Sequence, residues 1–320
     1  MRNDHSPDAL MFEDARLQHD FCQRGYVVTP VLSADDISIL QASWHEHDDP
    51  TKDMPFGSTL FSKDADLRRR MHETVASIVS RNIAEIMPSA TIVYGGFANK
   101  APREEASGLP FHQDPSFVDE SRYGSANIWI PLVDIDDSNG ALWVVPGSHC
   151  FNRGRRAFNQ SFAYEALEGA LRATYARPLY PRAGEAIVFA HTLFHFSPPN
   201  HSDRPRLVAG GLIVKTGAPL FYHYTDAANR REIEVYDADQ ALFLKTPIGT
   251  RPTGPLAGRY PAAMQPITID DVHGASERAA AAGFLARRGL ECCKSFSAFA
   301  KGHNLTFDGF KMNRIQRANV

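Results

Sequence analysis

From about Thr91 onward the chain breaks into short runs rich in Val, Ile, Trp and Phe, with turn signals between them. The runs are Ala90 to Tyr94, Ala126 to Leu132, Ala141 to Val145, Ala186 to Phe189 and Leu207 to Lys215. Ser138-Asn139-Gly140, Pro146-Gly147-Ser148, Arg182-Ala183-Gly184 and Pro198-Pro199-Asn200 punctuate them. Short β-branched and aromatic runs pack as strands, and strands that succeed one another without crossover helices pair antiparallel. The pattern predicts an antiparallel sandwich or jelly roll, mainly β with flanking helices.

The flanks read differently. Leu10 to Arg24 carries Leu10, Phe12, Leu17 and Phe21 on one helical face. Gly25-Tyr26-Val27-Val28 follows as a short strand. Ser33 is a helix cap before an acidic first turn, with the helix running to about Glu46. A further helix over Lys63 to Met87 ends at Pro88, and Phe158 to Ala176 is predicted as a helix inserted among the strands. After Thr246 the chain turns rich in Pro and Gly and reads as a linker or extended arm. A helix from about Ala275 to Arg288 and a tail with Phe307, Phe310 and Met312 close it. The expected organisation is one domain over 1–320: a helical N-terminal segment over 1–90, a β core of about 91–245, and an arm with helix and tail over 246–320.

Composition narrows the function classes. With 320 residues, 43% hydrophobic and 22% charged, the chain resembles an ordinary globular enzyme. A net charge of −3 argues against a nucleic-acid partner. The opening Met1 to Pro7 has no apolar run of a secretory leader, and no stretch is long and apolar enough for a membrane span. Cys22, Cys150, Cys292 and Cys293 form neither a disulfide framework nor a zinc motif. The expectation is a cytoplasmic protein acting on a small molecule, its oligomeric state undetermined by sequence.

Two segments about eighty residues apart carry the chemistry. The first is Pro110-Phe111-His112-Gln113-Asp114. The second runs from the strand at Ala186 through His195, Ser197 and Asn200 to Arg206. Residues i and i+2 of an extended segment point the same way, so His112 and Asp114 can face one metal with Gln113 turned aside. Taken alone, this pair is better explained by a loop histidine beside a solvated aspartate. His195 supplies a second imidazole, and two His with one carboxylate on one face of a metal leave positions for a keto acid and O2. Arg206, eleven residues on, offers a fork for a distal carboxylate; a surface ion pair with Asp203 is its competing explanation. His201 is a weaker rival for the third ligand. His191 and His195 are four apart, a zinc spacing on a helix, but the flanking strand and prolines argue against a helix. His45 and His47 read as solvated surface.

The order of these pieces resembles the phytanoyl-CoA dioxygenase family of Fe(II)/2-oxoglutarate oxygenases. The likeness runs from about Phe21 to Val214. It takes in Gly25-Tyr26-Val27-Val28, Asn99-Lys100, His112-Gln113-Asp114, Trp129-Ile130-Pro131-Leu132, Asn139-Gly140-Ala141-Leu142, Pro146-Gly147-Ser148-His149 and His195-Phe196-Ser197-Pro198-Pro199-Asn200 with Arg206. The resemblance implies a double-stranded β-helix, cupin-like core with Fe(II) held by His112, Asp114 and His195. It also implies 2-oxoglutarate held by Arg206 and Ser197, with Trp129 and Asn99 or Lys100 beside it, and O2 as oxidant. Phe196 stands where the family often has Gly, which would narrow the pocket. Asp114 fills the position that related halogenases leave to chloride, which favours hydroxylation.

Candidate substrate-pocket residues are Phe111, Phe117, Arg122, Trp143, His149 and His191. Core packing competes for the aromatics, and loop ordering competes for His149. Arg153, Arg155 and Arg156 form a basic cluster that would suit a CoA or carrier arm, or simply a solvated loop. The leading expectation is C–H hydroxylation of a secondary metabolite or amino-acid-like molecule, with release of succinate and CO2. The same centre performing desaturation, cyclisation or epimerisation, an acyl-CoA or carrier-bound substrate, and a non-catalytic cupin-like binding protein remain alternatives.

Overall fold

The computed structural model describes residues 11–152 and 154–287. Leu10, Arg153, Arg288, Cys292, Cys293 and the aromatic tail fall outside the described residues. Helix α1 (Ala15–Arg24) begins at Asp14, whose carboxylate accepts from the N–H groups of Arg16 and Leu17. It ends at Gly25, left-handed at φ 82°, whose N–H donates to Phe21 O. After β1 (Tyr26–Pro30), α2 (Ala34–Glu46) opens on Ser33 in a reciprocal cap with Asp36. Then come β2 (Phe56–Ser58), α3 (Ala65–Ile83) and β3 (Ala90–Lys100), the last six residues longer than predicted. His47 corrects one expectation: it is buried against the edge of Trp44, ring centroids 4.7 Å apart.

The middle of the chain lays down β4 (Leu109–His112), β5 (Ser125–Pro131), β6 (Leu142–Val144), β7 (Arg177–Leu179), β8 (Glu185–Ala190), β9 (His195–Ser197) and β10 (Arg206–Lys215). They sort into two antiparallel sheets. One is six-stranded in the order β1-β8-β5-β10-β3-β2, and the other four-stranded in the order β4-β9-β6-β7. The chain passes between sheets at nearly every connection, which makes a double-stranded β-helix with β1 and β2 added at the edges of its larger sheet. Alternation along each strand then decides what faces what. Ile128, Ile130, Ala186, Val188, Leu207 and Ala209 point outward and meet Leu67, Met71, Val75, Ile78 and Val79 of α3. Ile187, Phe189 and Trp129 point inward and meet Leu142 and Val144 of the smaller sheet. Burying each large apolar side chain contributes roughly 1.5–3 kcal/mol, so both faces hold the larger sheet in place.

Two expectations fail here. Phe158 to Ala176 is not one helix but a 3-10 turn (Glu165–Leu167), a single α turn, α4 (Glu168–Ala170), and a π turn (Leu171–Tyr175). Tertiary packing overrides propensity: Phe162 stacks on Phe111 at 5.6 Å, and Tyr164 lies 5.2 Å from Phe194. The second failure is the Pro/Gly-rich stretch. It contributes β13 (Leu256–Pro261), which pairs with β12 (Asn229–Ala238) and through it with β11 (Leu220–Asp226) in a third sheet. Pro255 precedes β13 and Pro261 ends it; prolines are tolerated there because this is an edge strand. α5 (Gln240–Lys245) lies between β12 and β13. α6 (Ile269–Arg287) starts six residues before the predicted helix. Among the described residues no helix is long and apolar enough to cross a membrane.

Candidate metal centre

β4 and β9 are neighbours in the smaller sheet, and their register sets His112 directly opposite His195. Asp114 follows two residues past His112. Nε2 of His112 lies 3.9 Å from Asp114 Oδ1, and Nε2 of His195 lies 3.8 Å from the same oxygen. The three donor atoms all fall within 4.8 Å of one another. These separations are too long for hydrogen bonds and leave room for an ion between the donors.

Backbone carbonyls fix the orientation of both imidazoles. Nδ1 of His112 donates to Pro110 O at 2.8 Å, and Nδ1 of His195 donates to Leu193 O at 2.8 Å. A carbonyl can only accept, so each Nδ1 carries the proton and each Nε2 lone pair faces the common point. Burial, with His112 beside it, pushes His195 down to about 4, so its ring is neutral at pH 7. Burial alone would raise Asp114. His195, His191 and His112, with the Asn127 amide 3.4 Å from Oδ2, outweigh it and hold the carboxyl below its ordinary value. Two imidazoles and one carboxylate fit a divalent ion such as iron(II). His112 is the most open of the three, with side-chain exposure of 32% against 15% for Asp114 and 5% for His195. A cavity of about 20 Å³ beside it is lined by Gln113, Gln160, Phe162 and Met264 among others.

A second cluster lies along the same wall. Register places Arg206 opposite Lys100. Arg206 is 2% exposed, with its Nε unpartnered and Nη1 donating to Gly140 O at 3.2 Å. Its guanidinium sits 5.2 Å from the Trp129 ring centroid. Burial lowers Arg206 to about 9. The competing ion pair does not form, since Asp203 instead meets Arg103 at 2.5 Å. Lys100 donates Nζ to Ser197 O at 3.1 Å and to Pro198 O. Burial and the Arg206 charge lower it to about 6. Among the described residues no carboxylate pairs with either basic side chain, an arrangement suited to an anionic ligand. Asn99 stands opposite Leu207, whose side chain belongs to the helix-side core, so of Asn99 and Lys100 it is Lys100 that shares the inner face with Arg206.

The expected pocket residues scatter. Phe111 and Trp143 each alternate with an inward residue and face outward, where both contact Phe196 at 4.4 and 5.6 Å. Phe196 therefore does not narrow the pocket. Phe117 packs on Phe158, Phe243 and, at 4.8 Å, on His191. His191 is buried beside Asp114, its Nδ1 2.6 Å from Ser125 Oγ. His149 holds Cys22 O at 3.0 Å, at the end of α1. Arg122 lies over the ring of its neighbour Tyr123. His201 is exposed beside Glu105, 3.3 Å away, which removes it as a rival ligand. Asn127 went unnoticed in the sequence; an amide two residues before Trp129 in an apolar strand was its signal.

The family model for Phytanoyl-CoA dioxygenase (PhyH) matches residues 21–208. The chain belongs to the phytanoyl-CoA dioxygenase family. This is a family of Fe(II)/2-oxoglutarate oxygenases, whose cofactors are Fe(II), 2-oxoglutarate and O2. Phytanoyl-CoA dioxygenase domain-containing protein 1 of Mus musculus is 27% identical over 157 residues, covering 47% of this chain and 53% of the mouse protein. Phytanoyl-CoA dioxygenase 1 of Oryza sativa subsp. japonica is 24% identical over 204 residues, covering 62% of each chain. The chain thus spans about half the length of the mouse relative it matches. Among solved structures, the non-heme alpha ketoglutarate dependent epimerase SnoN from nogalamycin biosynthesis aligns with TM-score 0.47 at 20% identity, over 78% of this chain and 98% of that one. HygX from Streptomyces hygroscopicus, with nickel, 2-oxoglutarate and hygromycin B bound, aligns with TM-score 0.47 at 13% identity, over 68% and 94%.

Proposed function

We propose that this family member, acting as one oxygenase domain, hydroxylates an unactivated C–H bond of a small molecule at a centre held by His112, Asp114 and His195. The observation that carries this reading is the convergence of three donors, His112 at the end of β4, Asp114 just beyond it and His195 on the neighbouring β9, with both Nε2 atoms presented to one carboxylate oxygen. When bound, Fe(II) with 2-oxoglutarate and O2 supplies oxidative decarboxylation to succinate and CO2, coupled to oxidation of the substrate.

The residues of the chain supply geometry and exclusion. The Nδ1 hydrogen bonds of His112 and His195 fix ring orientation, and Asp114 supplies negative charge to the centre. Arg206, aided by Lys100, Ser197 and Trp129, binds the distal carboxylate of 2-oxoglutarate and orients its keto-acid end toward the three ligands. Phe189, 4.8 Å from His195, closes the interior side against water. The open side of His112 receives the substrate. Asp114 occupies the place a halide would need, which favours hydroxylation over halogenation.

The basic cluster proposed for a CoA arm does not hold together among the described residues. Arg156 is buried in an ion pair with Glu120, and Arg155 lies over Tyr260. A small uncharged or amino-acid-like substrate is therefore preferred to an acyl-CoA.

The test is Fe(II)-dependent succinate formation with a panel of candidate substrates. His112→Ala, Asp114→Ala and His195→Ala should each abolish it, and full activity in Asp114→Ala would defeat the assignment. Product mass separates the outcomes: gain of one oxygen atom marks hydroxylation, and loss of two hydrogens marks desaturation or ring closure.

A further inference from the structure

Asp114 lies beyond the end of β4, so no strand ladder holds its main chain. Side chains hold it instead. Gln113, between the two proposed ligands, turns its amide away from them. Its Nε2 donates to Thr192 O, three residues before His195, and to Asn152 O at 3.4 Å. Its Oε1 accepts from Asn152 Nδ2 at 3.1 Å. One side chain thereby ties the segment bearing His112 and Asp114 to the segment leading into His195.

Arg156 grips the same segment one step further along. It is 3% exposed, and its Nε donates to the carbonyl oxygen of Asp114 itself at 2.8 Å. Nη1 donates to Gly154 O at 2.7 Å, and Nη2 to Glu120 Oε1 at 2.6 Å. Its main chain pairs with Ser116: Ser116 N donates to Arg156 O at 3.0 Å, and Arg156 N donates to Ser116 Oγ at 3.1 Å. Alternate residues Asn152, Gly154 and Arg156 thus line the stretch from Gln113 to Ser116.

We propose that Gln113 and Arg156 are positioning residues for the metal centre. Gln113 sets the spacing between the His112/Asp114 segment and His195, and Arg156 sets the direction of the Asp114 carboxylate by fixing its peptide. This rests on the ligand assignment above. A metal site tolerates displacements of only about 0.5 Å in its ligands, and a ligand in an irregular segment meets that tolerance only when neighbouring groups over-determine it. Glu120, 2.6 Å from Nη2, holds the far side of the guanidinium in place, so the fork cannot rotate away from Asp114 O.

The test uses the full chain with Co(II) alone as probe, reading affinity by chelator competition and ligand geometry by the visible d–d bands. Thermal unfolding of the metal-free protein is followed alongside. Gln113→Leu and Arg156→Lys should each weaken Co(II) binding roughly 10- to 100-fold and change the d–d bands. Arg156→Met should do the same. Lysine should not rescue, because it keeps the charge for Glu120 but lacks the Nε donor to Asp114 O. Should Arg156→Met fail to fold, Gln113→Leu and Arg156→Lys decide. Wild-type affinity and spectrum in Gln113→Leu, or full restoration by Arg156→Lys, would overturn the proposal even if the melting temperature fell. The ligand assignment fails separately: in that case His112→Ala, Asp114→Ala and His195→Ala would bind Co(II) as the wild type does.

Discussion

Lys100 and Arg206 stand opposite each other across the β3–β10 pairing, two buried basic side chains that no carboxylate among the described residues pairs with. Burying two basic groups side by side is costly: burial and the Arg206 charge lower Lys100 to about 6, so the ligand-free pair carries one charge at neutral pH, and a bound dianion would favour the second. Under the proposed cosubstrate assignment, the pair links stability of the ligand-free protein to binding of 2-oxoglutarate, with opposite signs.

Arg206→Met is expected to leave the ligand-free protein at least as stable as the wild type, because an unpaired buried charge is replaced by an apolar chain of similar length. The same change should weaken 2-oxoglutarate roughly 10- to 100-fold through loss of charge-assisted hydrogen bonds. Chemical denaturation and the cosubstrate KM together check this; an unchanged KM would remove Arg206 from the cosubstrate site.

Lys100 gives a pH signature. Its folded value of about 6 lies below the ordinary 10.5, so between those limits the unfolded chain binds a proton that the folded chain does not. Stability of the ligand-free protein should therefore rise with pH across that window, and Lys100→Met should flatten the rise. A dianion bound nearby raises the lysine again, so 2-oxoglutarate should bind with proton uptake near pH 8. Calorimetry in buffers of different ionisation enthalpy measures that uptake, and buffer-independent heats would contradict it.

Gly140 packs against Lys100 and the Pro198 carbonyl. It adopts φ +80°, and a Cβ there would come 2.8 Å from Pro198 O and 2.9 Å from Lys100 Cδ. Gly140→Ala is expected to cost about 1–3 kcal/mol of stability from backbone strain alone. Because Arg206 Nη1 donates to this residue's carbonyl, the cosubstrate KM should rise as well. Thermal unfolding and the KM are the two measurements.

Phe196 tests the outward face. It packs between Phe111 and Trp143, with Arg172 over its ring at 4.0 Å. Phe196→Ala should cost about 3–5 kcal/mol in denaturant unfolding. Once folded, the variant should keep the 2-oxoglutarate KM of the wild type; a KM shifted as far as that of Arg206→Met would place Phe196 in the pocket.

The sequence by itself determined the strand-rich core, the Ser33 cap and the three ligand candidates. The first two rest on short-range chemistry, alternation at period two and a side chain reaching three residues on; the ligand candidates rest on a pair two residues apart together with the family resemblance that adds His195. The same alternation could have sorted Phe111 from His112, since adjacent strand residues face opposite ways. Only the tertiary structure decided the rest. β13 looked like a linker because prolines mark both its ends, and its pairing with Glu232 to Tyr236 depends on residues far away in the chain. The grip of Gln113 on Thr192 and of Arg156 on Asp114 O joins segments 79 and 42 residues apart. Long-range contacts of that kind carry no local period or composition, because they are fixed by where two sheets bring their loops together.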